Sequence, residues 1–483
     1  MLNQVQHDNT YWTAPNPCGN IKETKMKNSG IEWIGEIPDG WEVSRVKNFL
    51  SERTGGAWGD EKKNNANDII CLRIADFDYS RFKFNNSTEL TIRNYNTDII
   101  EKLLLKKDDI LVEKSGGGDK TPVGRAVIFE NSYKALFANF MDRLRVRNNI
   151  SALFFLYVWT TYYDNKYMLP YVKQTTGIQN LDITSILSGV FFPLPPKSTQ
   201  QRIASYLDKK CSKIEETIQN QQQVIEKLKA YKQSLITEAV TGKKYHENCH
   251  TDSILLTQNS NEDMKTEIPL GISNPCGSIE FKYCNLSFIA DFKNGLNYNA
   301  SDFGTEVKFL GVGDFQNYLV LNHESMFSNI ITDTEIEDDY YLKNGDIIFV
   351  RSNGSKELVG RAIMVDNIDF KVTYSGFCIR LRNKEPQKIN SKFLLYFFRS
   401  DYFRSELQRL SQGSNISNIN QDLLSHIKIP LVDIRFQENV VDFLDKKCTA
   451  IDTAIEQKQN LIEKLTEYKK SLIYECVTGK KEI

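Results

Sequence analysis

One stretch of this sequence is written twice, and it limits the possible folds more than any other feature. Leu207-Asp208-Lys209-Lys210-Cys211 returns as Leu444-Asp445-Lys446-Lys447-Cys448. Ile225-Glu226-Lys227-Leu228 returns as Ile462-Glu463-Lys464-Leu465, and Thr241-Gly242-Lys243-Lys244 as Thr478-Gly479-Lys480-Lys481. The separation is 237 residues in every case. A register held over about forty residues excludes insertions, which one uninterrupted helix satisfies better than any loop-containing element. The chain therefore reads as two halves, each closing in the same helix.

Within the repeat, apolar residues recur at heptad spacing. Ala204, Cys211, Ile218, Ile225 and Ala239 fall at one position, and Leu207, Ile214, Leu228 and Leu235 at the other. The second copy keeps the pattern with Val441, Cys448, Ile455, Ile462 and Cys476 against Leu444, Ile451, Leu465 and Leu472. Gln221 and Lys458 interrupt the seam at one level, Lys232 and Lys469 at another. Such spacing predicts a coiled coil; two amphipathic helices, each packed on its own globular unit, is the alternative. Pairing within the chain, antiparallel, would set Gln221 opposite Lys458 as a central polar layer. Forty residues at ~1.5 Å rise make a rod of roughly 60 Å, a ruler with a globular unit at each end.

Outside the helices the halves match less rigidly. Leu72 to Phe77 pairs with Leu310 to Phe315, Asp109-Ile110-Leu111 with Asp346-Ile347-Ile348, Val123-Gly124-Arg125 with Val359-Gly360-Arg361, and Arg143-Leu144-Arg145 with Arg380-Leu381-Arg382. Their separations drift between 236 and 238 residues, so the globular units share a fold while their loops have diverged. Short apolar runs at Ile69–Leu72, Ile110–Val112 and Ala126–Phe129 read as strands. Leu153–Trp159 and Phe393–Phe398 read as buried helix faces, too short for the ~18 residues of a membrane span. The expected class is α+β with pseudo-two-fold symmetry. Its parts are a tail over 1–29, a globular unit over 30–197, a helix over 198–245, a linker over 246–275, a second unit over 276–432 and a second helix over 433–483. Pro193-Leu194-Pro195-Pro196 stops the first unit, Ser198 and Gln201 read as a capping box, and Gly242 and Gly479 as helix-ending residues. Asn16-Pro17-Cys18-Gly19 also recurs, at Asn274-Pro275-Cys276-Gly277, but outside the register.

A net charge of −1 excludes a polycation, so nucleic acid would have to be met by local patches. Nine cysteines without a C-x-x-C pair favour reduced thiols and a cytoplasmic setting. Met1 to Asn20 lacks an apolar h-region, so no secretory signal is expected. Catalytic motifs are poorly matched. Phe309-Leu310-Gly311-Val312-Gly313 fits an F-x-G-x-G cofactor turn, yet Asp314 to Asn322 reads as turn and strand rather than helix. Gly116-Gly117-Gly118-Asp119-Lys120-Thr121 resembles a P-loop tail, but Asp119 would repel phosphate and Val123–Phe129 reads as a strand. Five histidines show no metal-ligand spacing. No catalytic residue, metal site or bound cofactor is expected.

Two pairs of loops at matched positions carry the chemistry for DNA. The first pair is Lys114-Ser115-Gly116-Gly117-Gly118-Asp119-Lys120 with Arg125, and Arg351-Ser352-Asn353-Gly354-Ser355-Lys356 with Arg361. Glycines there let backbone N–H groups approach phosphate while Lys or Arg supplies charge. The second pair holds Thr175, Gly177, Gln179 and Asn180 in one half and Gln412, Gly413, Ser414 and Asn415 in the other, with amides suited to adenine or phosphate. Solvated turns are the alternative reading.

The chain at this point resembles the specificity subunit of type I restriction-modification systems. The likeness rests on Trp33-Ile34-Gly35-Glu36-Ile37-Pro38 with Trp41-Glu42-Val43, the Asp109 and Asp346 segments leading to Gly124-Arg125 and Gly360-Arg361, Pro193-Leu194-Pro195-Pro196 with Gln200, and the two helices. It covers nearly everything after residue 30. It implies two target-recognition domains, each reading half of a bipartite double-stranded DNA site, spaced by antiparallel helices on which two methylation subunits dock. S-adenosylmethionine, ATP and Mg would belong to partner subunits, with restriction subunits in the full complex. The second unit departs from the pattern by opening with Phe281-Lys282-Tyr283 and lacking the double-Trp segment. A self-sufficient methyltransferase or nuclease, and a tether that binds no DNA, remain the competing functions.

Overall fold

A computed structural model describes residues 25–85, 89–118, 120–175, 177–242, 282–297, 304–315, 318–333, 335–352, 358–410 and 418–483. The tail over 1–24, the linker, the Asn-Pro-Cys-Gly repeat, and Asn353, Lys356, Gln412, Gly413, Ser414 and Asn415 lie outside the described residues, as does the Thr175 side chain. The chain divides into two compact units, residues 1–221 with 460–483, and residues 222–459.

That division changes the linear partition read from sequence. Each long helix, Lys197–Thr241 and Ile434–Val477, is shared between the units. In the first unit, Ile203, Ala204, Leu207 and Cys211 of one helix pack with Leu472, Ile473, Cys476 and Val477 of the other. In the second, Leu235, Ile236 and Val240 pack with Val440, Val441, Leu444, Cys448 and Ile451. The start of one helix meets the end of the other in both units, so the pairing is antiparallel and within the chain. Of the seam residues, Leu207, Ile218, Ile225, Leu235, Leu444, Ile451 and Leu472 are buried, while Ile214, Leu228, Ile455, Ile462 and Leu465 are half-buried.

Two seam lysines make ion pairs between the helices, one in each unit. In the first unit Lys469 Nζ lies 3.2 Å from the Glu215 carboxylate and donates to Ser80 O. In the second, Lys232 Nζ lies 2.6 Å from the carboxylate of Asp452. Gln221 and Lys458, the expected central layer, are both half-buried. The helix begins at Lys197, so Ser198 sits inside the first turn instead of capping it. Fastening falls to Gln200, buried, whose amide donates to Pro195 O (2.9 Å) and accepts from Ser151 N (2.9 Å). Gln437 repeats this with Val432 O (2.8 Å) and Asn390 N (2.9 Å). Gly242 and Gly479 follow the helix ends at φ +64° and +75°. A Cβ on Gly479 would stand 2.3 Å from the Pro38 ring, so the double-Trp segment closes over this helix end in the first unit.

The same sheets are built in each unit. Ala126–Phe129, Asp109–Glu113, Met141–Val146 and Leu50–Gly55 form an antiparallel sheet in that order. Ala362–Val365, Ile347–Val350, Cys378–Asn383 and Ala290–Asn294 repeat it, with Val320–Leu321 added at one edge. A second sheet sets Ala135–Phe137 parallel to Asp68–Leu72, matched by Val372–Tyr374 parallel to Thr305–Leu310. Ile110-Leu111-Val112 and Ile347–Val350 are apolar because both faces are buried, whereas the strands beside them carry Arg143, Arg145, Arg380 and Arg382. Ile110 and Val112 enter the core under the helix Ala152–Asp164, while Leu111 enters the core on the other face. Ile347 and Phe349 face the helix Ser391–Phe398, and Ile348 and Val350 the opposite core. The repeated Asp and Arg motifs turn out to lock these sheets. Asp109 receives two bonds from Arg145 (2.7 and 2.8 Å), and Asp346 two from Arg382 (2.8 and 2.6 Å).

Candidate nucleic-acid interface

In the first unit the two candidate loops, 65 residues apart in sequence, are brought to one place. Ser115–Gly116 pairs with Ile178–Leu181, which pairs in turn with Val172–Thr175. Ser115 stands opposite Asn180, and its hydroxyl donates to Asn180 Oδ1 at 2.6 Å. The second unit carries the same join, an isolated bridge between Ser352 and Asn418. Neighbouring bonds agree: Leu181 N donates to Lys114 O (2.8 Å), and Ile419 N to Arg351 O (2.9 Å). The Asn415 end of the second loop lies outside the described residues.

Glycine makes the first loop possible. Gly117 takes φ +64°, and a Cβ there would lie 2.8 Å from Val123 N. Gly116, at φ +123°, is likewise in the positive-φ region. Gly177, at φ +83°, turns the hairpin into Ile178, with open space around it. Lys120 is exposed, as is Asn180, so both are presented to solvent.

Other expected contact residues are otherwise engaged. Gln179 is buried, and its Oε1 accepts from Val123 N at 3.3 Å, so it braces the glycine loop from inside and is not displayed. Lys114 Nζ is 2.9 Å from the buried carboxylate of Asp142, which also binds Arg53 at 2.6 Å. Arg125 donates to both carboxylate oxygens of buried Glu113 (3.1 and 3.2 Å) and lies 3.6 Å over the Tyr79 ring. Burial pushes the Glu113 carboxyl above its usual range against the pull of Arg125. In the second unit Val350 replaces Glu113. No carboxylate among the described residues pairs with Arg361, whose guanidinium burial drives down. Arg351 donates to Gly376 O at 3.4 Å, and Ser352 is half-buried.

The Phe309 turn is built differently from a cofactor loop. It runs into a short 3-10 turn, Val312–Phe315, and the Gly311 N–H is taken by Asp314 Oδ2 at 2.7 Å. One further repeated residue borders the candidate loops. Phe140 and Phe377 precede the matched Arg-Leu-Arg strands at the helix register of 237 residues, a signal visible in the sequence, and both are exposed.

Duplicated α+β units on shared antiparallel helices, each with a matched strand-end join, Ser115 with Asn180 and Ser352 with Asn418, define a class of internally repeated two-unit proteins. The chain belongs to the type I restriction-modification specificity subunits, since the family model described as Type I restriction modification DNA specificity domain matches residues 38–227 and 279–465. It is 24% identical over 456 residues to the type I restriction enzyme StySPI specificity subunit of Salmonella potsdam, covering 92% of this chain and 90% of that protein. The MjaVIII specificity subunit of Methanocaldococcus jannaschii is 25% identical over 467 residues, covering 92% and 93%. A chain solved in work on complex assembly and conformational transition of the type I R-M system superposes with a TM-score of 0.65 at 13% identity, covering 92% of this chain and 99% of that one. At that identity the likeness speaks for the fold.

Proposed function

We propose that each unit reads one part of a bipartite double-stranded DNA target and that the shared helices set the spacer and dock two methylation subunits. The observation that carries this reading is an equivalent join in each unit, Ser115 with Asn180 between the two candidate loops of the first and Ser352 with Asn418, just beyond the candidate residues 412–415, in the second. One fold presents two related reading surfaces whose loops differ, which suits two unlike half-sites. The exposed Lys120 would meet phosphate, and the exposed Asn180 amide would bond a base edge or a backbone oxygen; Lys114 and Arg351 would reach phosphate only by adding it to the partners they already hold.

On this reading the chain is not itself a catalyst. Methylation chemistry with S-adenosylmethionine belongs to the methylation subunits, and ATP with Mg to restriction subunits in a full complex. The setting is the cytoplasm, where the DNA is. Among the described residues no helix is long and apolar enough to cross a membrane.

Mapping methylated adenines in cells that express the chain with a methylation subunit tests the proposal. A two-part motif with a fixed gap is expected, and the purified chain should bind its duplex with affinity that falls steeply with salt. Methylation by the chain alone, or salt-independent binding, would overturn it.

A further inference from the structure

Phe140 and Phe377 remain outside every core, 48% and 63% exposed. Each sits on a turn fixed by the same backbone bonds. Lys114 N donates to Phe140 O, and Arg351 N to Phe377 O, both at 2.8 Å. Ala138 N donates to Leu72 O (2.9 Å), and Ser375 N to Leu310 O (3.0 Å). Behind each turn a glycine permits contact that no side chain could: a Cβ on Gly56 would stand 2.2 Å from Ala138 O, and one on Gly295 2.1 Å from Ser375 O. Ala57 N and Leu296 N complete the clamp on Phe137 O and Tyr374 O, at 3.0 and 2.8 Å. Two exposed phenylalanines held this rigidly cost solvation without adding to any core. Scattered exposed apolar residues are ordinary, but the same one on the same clamp in both units is not scatter.

We propose that Phe140 and Phe377 are DNA-contact residues that press their rings against bases, one in each half-site. The inference rests on the DNA-reading function proposed above and assigns it two apolar contacts that the polar loops cannot supply. Each phenylalanine carbonyl is bonded to the first residue of a candidate loop, Lys114 or Arg351, so the ring is displayed beside the cations expected to hold phosphate. An apolar side chain pressed on or between bases unstacks or kinks a duplex. A fixed turn keeps that geometry without an ordering cost at binding. A docked protein subunit is the other possible occupant, and the backbone link to the DNA loops argues for bases.

The test uses the full chain, a duplex selected by it from a randomised pool, and the same duplex with 2-aminopurine placed along each half-site. Phe140→Ala and Phe377→Ala should each weaken binding by roughly 5- to 150-fold, the worth of one aromatic stack. The salt dependence should stay as in the unaltered chain, because no phosphate contact is lost. Each variant should lose the fluorescence change in one half-site only, and Phe140→Leu or Phe377→Leu should recover part of the affinity. Unchanged unfolding transitions would show that both alanine variants fold. Alanine variants that bind and report like the unaltered chain overturn this inference and leave the DNA-reading proposal standing. If the unaltered chain binds no duplex in a salt-dependent way, both fall together. Variants that keep DNA affinity but no longer co-purify with a methylation subunit also overturn it, assigning the rings to protein docking.

Discussion

Glu113 and Val350 occupy one position in the two units, as their backbones show: Glu113 N donates to Arg125 O at 2.9 Å and Val350 N to Arg361 O at 3.0 Å. The same Gly-Arg turn therefore carries a neutralised arginine in the first unit and, among the described residues, one without a carboxylate partner in the second. Arg399 nearby is held down to about 10, chiefly by burial and further by the charge of Arg361, against the pull of the Asp452 carboxylate. Two desolvated cations side by side are poised to gain from an anion. Arg125→Ala should cost roughly 3 kcal/mol of stability, because it strands the buried Glu113 carboxylate. Arg361→Ala should leave stability within about 0.5 kcal/mol and lower the slope of log affinity against log salt by about one. Denaturant melts and salt-titrated DNA binding separate the two; equal effects on stability would refute the asymmetry. Sequence placed both arginines in the interface because their motifs match. What it could not show is that a residue twelve positions upstream decides whether the charge is spent.

At the scale of elements, the two seam lysines make the same bond under different exposure. Lys469 and Glu215 are each only 10% exposed, whereas Lys232 and Asp452 are 29% and 56% exposed. Breaking the first pair by Glu215→Ala leaves a largely buried ammonium and should cost roughly 3 kcal/mol or more. Asp452→Ala should cost about 0–1 kcal/mol, since water screens that pair. Replacing both Lys469 and Glu215 by methionine should recover most of the loss, and a double-mutant cycle in denaturant measures it. The long helices, the strand runs and both buried short helices were legible because period and register are properties of sequence alone. The sharing of each helix between units was not, since a heptad names a seam without naming its partner. Nor was the inward turn of Gln179, because an amide in a polar loop looks the same facing base or backbone. Gln200 lies within the stretch whose pattern suggests a helix cap, yet its amide ties helix to sheet through Pro195 O and Ser151 N.

At the scale of the whole molecule, the fixed repeat register and the drifting loops ask for different explanations. Loops that differ between units can read different bases, so their lengths are free to wander. On the proposed function, a helix shared by two units could not change length without shifting one half-site contact against the other, and a one-residue insertion would rotate it by about 100° as well. Only multiples of a heptad preserve the seam phase. Deleting residues 218–224 together with 455–461 removes one heptad from each helix at matched positions. The interhelical pairs Lys469–Glu215 and Lys232–Asp452 lie outside both deletions and remain available. On the proposed function the rod shortens by ~10 Å, about three base pairs at ~3.4 Å each. Methylation mapping in cells carrying the shortened chain should show both half-sites unchanged and the gap between them reduced by that amount. An unaltered gap would mean that the helices join the units without measuring the DNA, and the ruler would have to be sought in the methylation subunits instead.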